Sequence, residues 1–311
     1  MRARQRGVAL VIALLVVALA TVLIAGLLDR GELAAARTRN QLRVEQADAY
    51  ARGLELYAAR VLQKDAEQAA GDSNGDIWAM PLPPTPVVGG RISAQMRDMN
   101  GCFNLNNLVS GDANQGEWRE RFARLLTALR LDPTLTDIVV DWADANAEPG
   151  GGGHGSGAED GVYAAAVPAY RAANRDFVHV SELRLVQGMG GSVYATLAPH
   201  VCALPRGTLL NLNTASIPVL QSLSARITEE MARRLWKEGR ASWGAVSDFR
   251  QELIAAGIPP PPTLELGLST ESRYFLARGE IELDGLKFHP TSLIERSARG
   301  IRVLQRSRGS D

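Results

Sequence analysis

Residues 8–28 form an uncharged run of 21 residues, preceded by Arg2, Arg4, Arg6 and Gly7. A secretory signal has an apolar core of roughly 7–15 residues followed by a small-residue cleavage site. A helix that crosses a ~30 Å hydrocarbon layer needs about 20 apolar residues. The run has the second length, and no Ala-x-Ala stop with a polar start follows it. It therefore reads as a retained single-pass anchor, the alternative being a cleaved signal with a long core. Arginines ahead of the span place the N-terminus in the cytoplasm and the bulk of the chain across the membrane.

The helix does not stop at the membrane. From Val8 to about Lys64 there is no proline, and Ala, Leu, Arg, Glu and Gln dominate, all good helix formers. Apolar residues at Leu42, Ala49 and Leu56, with Val44, Leu54, Ala58 and Val61 at i+3/i+4 spacings, predict an amphipathic stem with one stripe that needs a partner. A continuous helix of that length extends about 80–85 Å at ~1.5 Å per residue. Such an object suits a subunit that packs beside other helices and carries a head.

A basic leader ending in Gly7, the apolar start "VALVIALLVVALATVL" and the long stem together resemble a type IV pilin or pseudopilin. The resemblance implies cleavage by a prepilin peptidase between Gly7 and Val8, followed by methylation of the new N-terminus. Most pilins have a glutamate at the fifth residue after the cut; here that position is Ile12. An intramembrane carboxylate is costly unless paired, and its absence resembles the K-type minor pseudopilins of type II secretion, the GspK family. The segments "GDSNGDIWAMPLP", "RDMNGCFNLNNLV", "VVDWADANAEPGGGGHGSGAEDGVY", "SELRLVQGMGGSVYATLAPHVCALP" and "LLNLNTASIPVLQSL" resemble that family in the same order. The resemblance implies a head in the periplasm and I- and J-type minor pseudopilins as partners in a cap at the pseudopilus tip. It extends the expected contacts to the major pseudopilin, the secretin and secreted substrates.

Pattern and resemblance agree on an α+β fold: a pseudopilin with a long N-terminal helix, a small antiparallel β-sheet and a large inserted α-helical domain. The leader is 1–7, the transmembrane part 8–28, and the stem and linker 29–79. Residues 80–110 are expected to start the sheet, 111–265 to form the inserted helices, and 266–311 to return as strands. "MPLPPTP" (80–86) ends the stem, since proline is excluded from a helix interior. Asp132 with Pro133 reads as an N-cap and first helical residue. "IPPPPTLE" (258–265) reads as a stiff linker, and Asp284-Gly285 and Arg299-Gly300 as hairpin turns of a three-stranded tail.

The loop after Trp142 carries the chemistry. Asp144, Asn146 and Glu148 stand at i, i+2 and i+4, Asp141 lies just before them, and Glu159 and Asp160 follow a glycine-rich arc. In a loop this spacing can aim successive oxygens at one point, as at the start of an EF-hand. The full EF-hand pattern is not met, so a solvated acidic loop remains the other reading. The resemblance implies Ca²⁺, with Asp144, Asn146, Glu148, Glu159 and Asp160 as the expected ligands; His154 reads as a solvated loop residue. "DSNGD" (72–76) is explained by a turn at Asn74-Gly75 and is assigned no metal.

The chain has two cysteines, Cys102 and Cys202, and no CxxC pair. In a periplasmic head a disulfide between them is permitted; it closes a loop of about 100 residues, for which chain entropy allows up to ~4.7 kcal/mol. Two buried free thiols are the alternative. Basic and acidic residues number 34 each, so the composition carries no nucleic-acid footprint. The rival function comes from residues 211–253, which resemble the helix-hairpin-helix segments of DNA-uptake proteins. Their phosphate-binding glycines are missing from "LSARI" (223–227), and the second such segment keeps Gly188, Gly190 and Gly191 without a basic cluster. No metalloprotease, nucleophile-elbow or P-loop motif is present, so nothing in the sequence asks for an enzyme.

Overall fold

The computed structural model describes residues 5–67, 71–146, 148–150 and 157–309. Helix α1 (Gln5–Ala66) runs unbroken for 62 residues, about 93 Å at ~1.5 Å per residue. One helix is long and apolar enough to cross a membrane, and its apolar window is fully exposed on the protein. Gly7 and Val8 lie in this helix, while Met1–Arg4 lie outside the described residues.

The stem has two apolar faces rather than one. Ala47, Leu54, Ala58 and Leu62 are buried against the sheet, with Ile281, Leu283, Phe275 and Ile294 opposite. Leu42, Ala49 and Leu56 face solvent, Leu56 at 71 % exposure. The expected single stripe therefore divides: Leu54, Ala58 and Val61 serve the protein's own head, and the other four, Val44 among them, remain free. Ion pairs from β10 to the stem, Arg306 to Glu55 at 2.7 Å and Arg308 to Asp48 at 2.7 Å, fix the rotation of α1 on the sheet.

After the stem the chain enters β1 (Leu82–Val87) and β2 (Gly90–Asp98). It then departs through β3 (Phe103–Asn104), α2 (Gln115–Ala128), α3 (Leu135–Ala143), α4 (Asp160–Ala164), α5 (Gly191–Leu197), β4 (Val201–Cys202) and β5 (Leu210–Asn211). Helices α6 (Ile217–Ser222), α7 (Glu229–Trp236) and α8 (Val246–Ala255) and strand β6 (Leu268–Ser269) complete the excursion. The chain returns as β7 (Tyr274–Leu283), β8 (Leu286–Phe288), β9 (Thr291–Ser297) and β10 (Gly300–Ser307). The sheet is antiparallel in the order β1-β2-β7-β9-β10, with β8 beside the far half of β7. The expected helical insertion on a small sheet is thus present. The expected three-stranded tail has a fourth piece, because His289-Pro290 divides one edge of β7 between β8 and β9.

The insertion is wider than 111–265. The chain leaves the sheet at Asp98 and rejoins it at Tyr274, and β3 pairs with β4 inside the helical region. Asp98 accepts the Asn100 amide at 2.7 Å, and the Asn100-Gly101 turn diverts the chain out of the sheet. Gly101 is required there, because a Cβ would collide with the Thr214 backbone. "MPLPPTP" leads into edge strand β1, which is where a sheet tolerates proline. Thr134, not Asp132, is the residue before α3; the Asp132 carboxylate takes the Thr134 amide at 2.9 Å. "IPPPPTLE" is pinned to the head: buried Arg121 donates to the carbonyls of Thr263, Leu264 and Leu266 at 3.1, 2.9 and 2.7 Å.

The helical region has its own core, built around Phe103, Trp118, Phe122, Val139, Trp142, Leu220 and Phe249. A disulfide joins Cys102 to Cys202, packed with Leu204 and Tyr274 between that core and the sheet.

Candidate metal centre

Helix α3 presents Asp137 and Asp141 one turn apart on its buried face, both inaccessible to solvent. Beyond its end the loop is organised by side-chain turns. Asp144 accepts the Asn146 amide at 3.3 Å and side-chain Nδ2 at 2.7 Å, and Asn146 accepts the Glu148 amide at 2.7 Å. The backbone then folds back so that Gly150 N–H lies 3.2 and 3.0 Å from the two Asp141 oxygens. Gly157 passes so close to Asp141 that a Cβ there would collide with the carboxylate. Glu159 precedes α4 and is buried at 6 % exposure. Asp160 accepts the Ala172 amide at 3.0 Å.

These placements divide the five expected ligands. Asp144 and Glu159 lie within electrostatic reach of Asp141. Asn146 and Glu148 are exposed and hold turns, and Asp160 ties α4 to residue 172. His154 lies outside the described residues. Asp141, which spacing alone did not assign as a ligand, is the fully buried carboxylate whose charge acts on both Asp144 and Glu159. Its signal was present as the Asp137-x-x-x-Asp141 pair on an otherwise apolar helix face, a placement that needs compensation once buried.

Neither oxygen of Glu159 has a hydrogen-bond partner of sound geometry. Burial pushes its carboxyl above the ordinary range, and the charges of Asp141, Asp144 and Asp160 push it further; the Asp160 amide offsets only part. Asp144 is raised by burial and by Asp141, against hydrogen bonds from Asn146 and the field of Arg119. A buried carboxylate left without a donor costs several kcal/mol unless it is protonated or meets a cation. Among the described residues no basic side chain pairs with Glu159. The donor set is all hard oxygen, which suits Ca²⁺ and not zinc. The loop thus offers hard oxygen donors, but among the described residues only Asp65, Asp72 and Asp76 bring three carboxylate oxygens within 4.8 Å of one another.

A second acidic cluster sits where the stem meets the sheet. Asp65, Asp72 and Asp76 each offer an oxygen within 4.8 Å of the others, a spacing that could coordinate a divalent ion. Here a guanidinium supplies the positive charge. Arg296 from β9 contacts Asp72 Oδ1 at 2.6 Å and Asp65 at 3.3 Å, and donates to the Ser272 carbonyl at 2.8 Å. Asp76 accepts the Ser73 amide and hydroxyl at 2.6 and 2.9 Å, the turn expected at 72–76. Burial, with Asp76 and Asp72 adding to it, pushes Asp65 up to about 6 despite Arg296. Sequence spacing did not reveal this site, because Asp65 lies on the stem and Arg296 on a strand more than 200 residues later.

The segment 211–253 that resembles a DNA-binding hairpin presents an acidic helix N-terminus rather than an anion site. The first turn of α7 carries Glu229 and Glu230, and the Thr228 side chain already accepts the Met231 amide. Acidic side chains at a helix N-terminus oppose a phosphate there.

A membrane-length helix continuous with a stem, laid across an antiparallel sheet, defines the pilin-like class of membrane-anchored subunits. Residues 101–206 match the family description "Type II secretion system (T2SS), protein K". The chain is 37 % identical to the type II secretion system protein K of Pseudomonas aeruginosa, over 99 % of this chain and 94 % of that one. It is 34 % identical to the protein K of Pectobacterium carotovorum, over 99 % and 98 %. Its fold superposes on a chain from the crystal structure of the GspK-GspI-GspJ complex from enterotoxigenic Escherichia coli, with TM-score 0.77 and 25 % identity, covering 88 % of this chain and all of that one. The chain belongs to the type II secretion system protein K family, the GspK pseudopilins.

Proposed function

We propose that this chain is the K-type minor pseudopilin at the tip of a type II secretion pseudopilus. The observation that carries the reading is the joint likeness of anchor, sheet and helical insertion to protein K relatives over nearly the whole chain. The leader is removed between Gly7 and Val8 and the new N-terminus is methylated. Residues 8–28 hold the subunit in the inner membrane, with the head in the periplasm. I- and J-type minor pseudopilins pack on the free stem face at Leu42, Ala49 and Leu56, since the opposite face is occupied by the head's own sheet. Ile12 leaves no carboxylate for a subunit ahead, and the helical insertion obstructs one above. The complex therefore caps the pseudopilus, starts its assembly, and meets the major pseudopilin, the secretin and secreted substrates from that position. The role is assembly, not catalysis. Ca²⁺ at Asp141, Asp144 and Glu159, with Asn146, Glu148 and Asp160 shaping the loop, fixes the insertion.

The test is co-purification of the full chain with its I- and J-type partners from membranes. The expected product is a 1:1:1 complex whose K subunit begins at Val8 and does not self-polymerise. Cross-linking that finds the subunit along the whole length of isolated pseudopili would overturn the cap assignment.

A further inference from the structure

The two edges of the sheet are not alike. Edge strand β1 contains Pro83, Pro84 and Pro86, so half of its six residues lack an N–H and it cannot accept another strand. Edge strand β10 contains no proline and pairs only with β9. The pairing fixes which amides face outward. Gly300 opposite Ser297 closes a two-residue turn, and Ile301 stands opposite Arg296. Arg296 sends its own N–H the other way, to the Arg273 carbonyl at 2.7 Å. In antiparallel alternation the amides of Ile301 and Val303 therefore point to the open edge, and none of the described groups accepts them. An unpaired edge of this kind is a template for a further strand. The bulge between Val303 and Gln305 ends the regular stretch, so the usable template is residues 300–303.

Charge identifies the strand that fits. Residues 299–308, "RGIRVLQRSR", carry four arginines and no acid. Arg302 is paired only with Glu295, a carboxylate shared with Arg273, and is itself 70 % exposed. Arg299 is exposed and has no acidic partner among the described residues. The template opens at its Gly300 end into a cleft of about 1320 Å³ whose rim includes Arg206, Arg273, Arg299 and Arg302. The acids of the same cleft, Asp65, Asp72 and Glu295, are buried and already engaged by arginine, which leaves Glu271 as its exposed acid. Guanidinium groups bind carboxylates in forked pairs. A second copy of this chain is a poor occupant, since antiparallel β10–β10 pairing would set Arg302 against like charge. We propose that the β10 edge and the adjoining arginine-rimmed cleft form a docking groove for an extended acidic segment of a partner protein, bound by strand addition to Ile301 and Val303.

The test uses the full chain in detergent and two capped ten-residue peptides, one alternating Glu and Thr, the other Lys and Thr. Hydrogen exchange is read at single amides by electron-transfer fragmentation. The Glu peptide should bind at least about tenfold tighter than the Lys peptide, and should slow exchange at Ile301 and Val303 while leaving Arg302, already paired to β9, unchanged. Binding should weaken about tenfold in Val303→Pro but not in Val303→Ala, and likewise in Arg299→Glu combined with Arg302→Gln. Equal binding of the two peptides, or binding without protection at Ile301 and Val303, would overturn the proposal. Protection there that rises with protein concentration in the absence of peptide would also overturn it, by assigning the edge to a second copy. The exchange readout on the unaltered chain decides the matter even if Val303→Pro fails to fold.

Discussion

The junction of stem and sheet and the loop after α3 both hold buried or half-buried carboxylates, and they differ in what lies against them. At the junction Arg296 sits among Asp65 and Asp72, also donating to Ser272 and lying 4.9 Å from the Phe275 ring. At the loop the charges of Asp141 and Asp144 act on buried Glu159, and among the described residues no basic side chain pairs with it. The first cluster carries its counter-charge in the polypeptide and is complete on folding. In the second, burial and neighbouring acids hold Glu159 above its ordinary range, which a proton or a cation from solvent would relieve.

The largest expected effect breaks the first half of that contrast. Arg296→Met leaves Asp65 and Asp72 buried without their cation, and should cost about 3–5 kcal/mol in urea unfolding. A loss below about 1 kcal/mol would mean that the junction does not depend on its arginine.

Calcium sharpens the second half. A ligand that binds only the native state adds ~2.7 kcal/mol at a hundredfold excess over its dissociation constant. The chain should melt higher in calcium than in chelator, and Glu159→Gln should abolish the increment. Arg296→Met should lower both melting temperatures and keep the difference. If Asp76→Asn removes the increment and Glu159→Gln does not, the ion belongs at the junction and the comparison is reversed.

The pH dependence without calcium follows from the raised carboxyls. A carboxyl raised in the folded state holds its proton there more tightly than in the unfolded chain. Its contribution to stability is full below the unfolded value and is lost as pH rises through the folded one. For Glu159 the loss starts near its ordinary 4.5 and extends upward; for Asp65 it runs from 3.8 to about 6. Glu55 and Glu295, held low by arginines that outweigh their burial, contribute with the opposite sign. The loop's share is therefore the difference between the native chain and Glu159→Gln across pH 4–7 in chelator. That difference should move against the native chain as pH rises, and calcium should reverse it. A flat difference would remove Glu159 from the site.

The smallest effect is at Asp76. Asp76→Ala removes two hydrogen bonds to Ser73 but no partner of Arg296, and should cost ~1 kcal/mol. A loss as large as that of Arg296→Met would show that Asp76 is part of the charge cluster and not only of its turn.

Local pattern carried much of this molecule. The anchor, the proline-free stem, the hairpin turn at Asp284-Gly285, the next one at Ala298-Arg299 (one residue before the expected Arg299-Gly300) and the helical block between the strands all depend on neighbours in sequence, and periodicity and turn chemistry report such neighbours directly. The loop at 141–160 was legible as acidic, but its oxygens were assigned by spacing, and spacing is blind to which side chains turn inward. Asn146 and Glu148 spend their groups on the loop's own turns, whereas Asp141 enters the site because a helix face buries it.

The sequence by itself determined that this is a membrane-anchored, long-stemmed α+β protein with an acidic loop in a helical insertion, because length, charge and period are properties of the chain. Only the tertiary structure decided which stem face stays free, where the insertion leaves the sheet, and which carboxylates have a cation. Those outcomes rest on pairs such as Asp72 with Arg296 and Glu55 with Arg306, more than 200 residues apart. Strand register brings such groups together, and register is settled by the whole sheet packing on α1, not by any local run of residues.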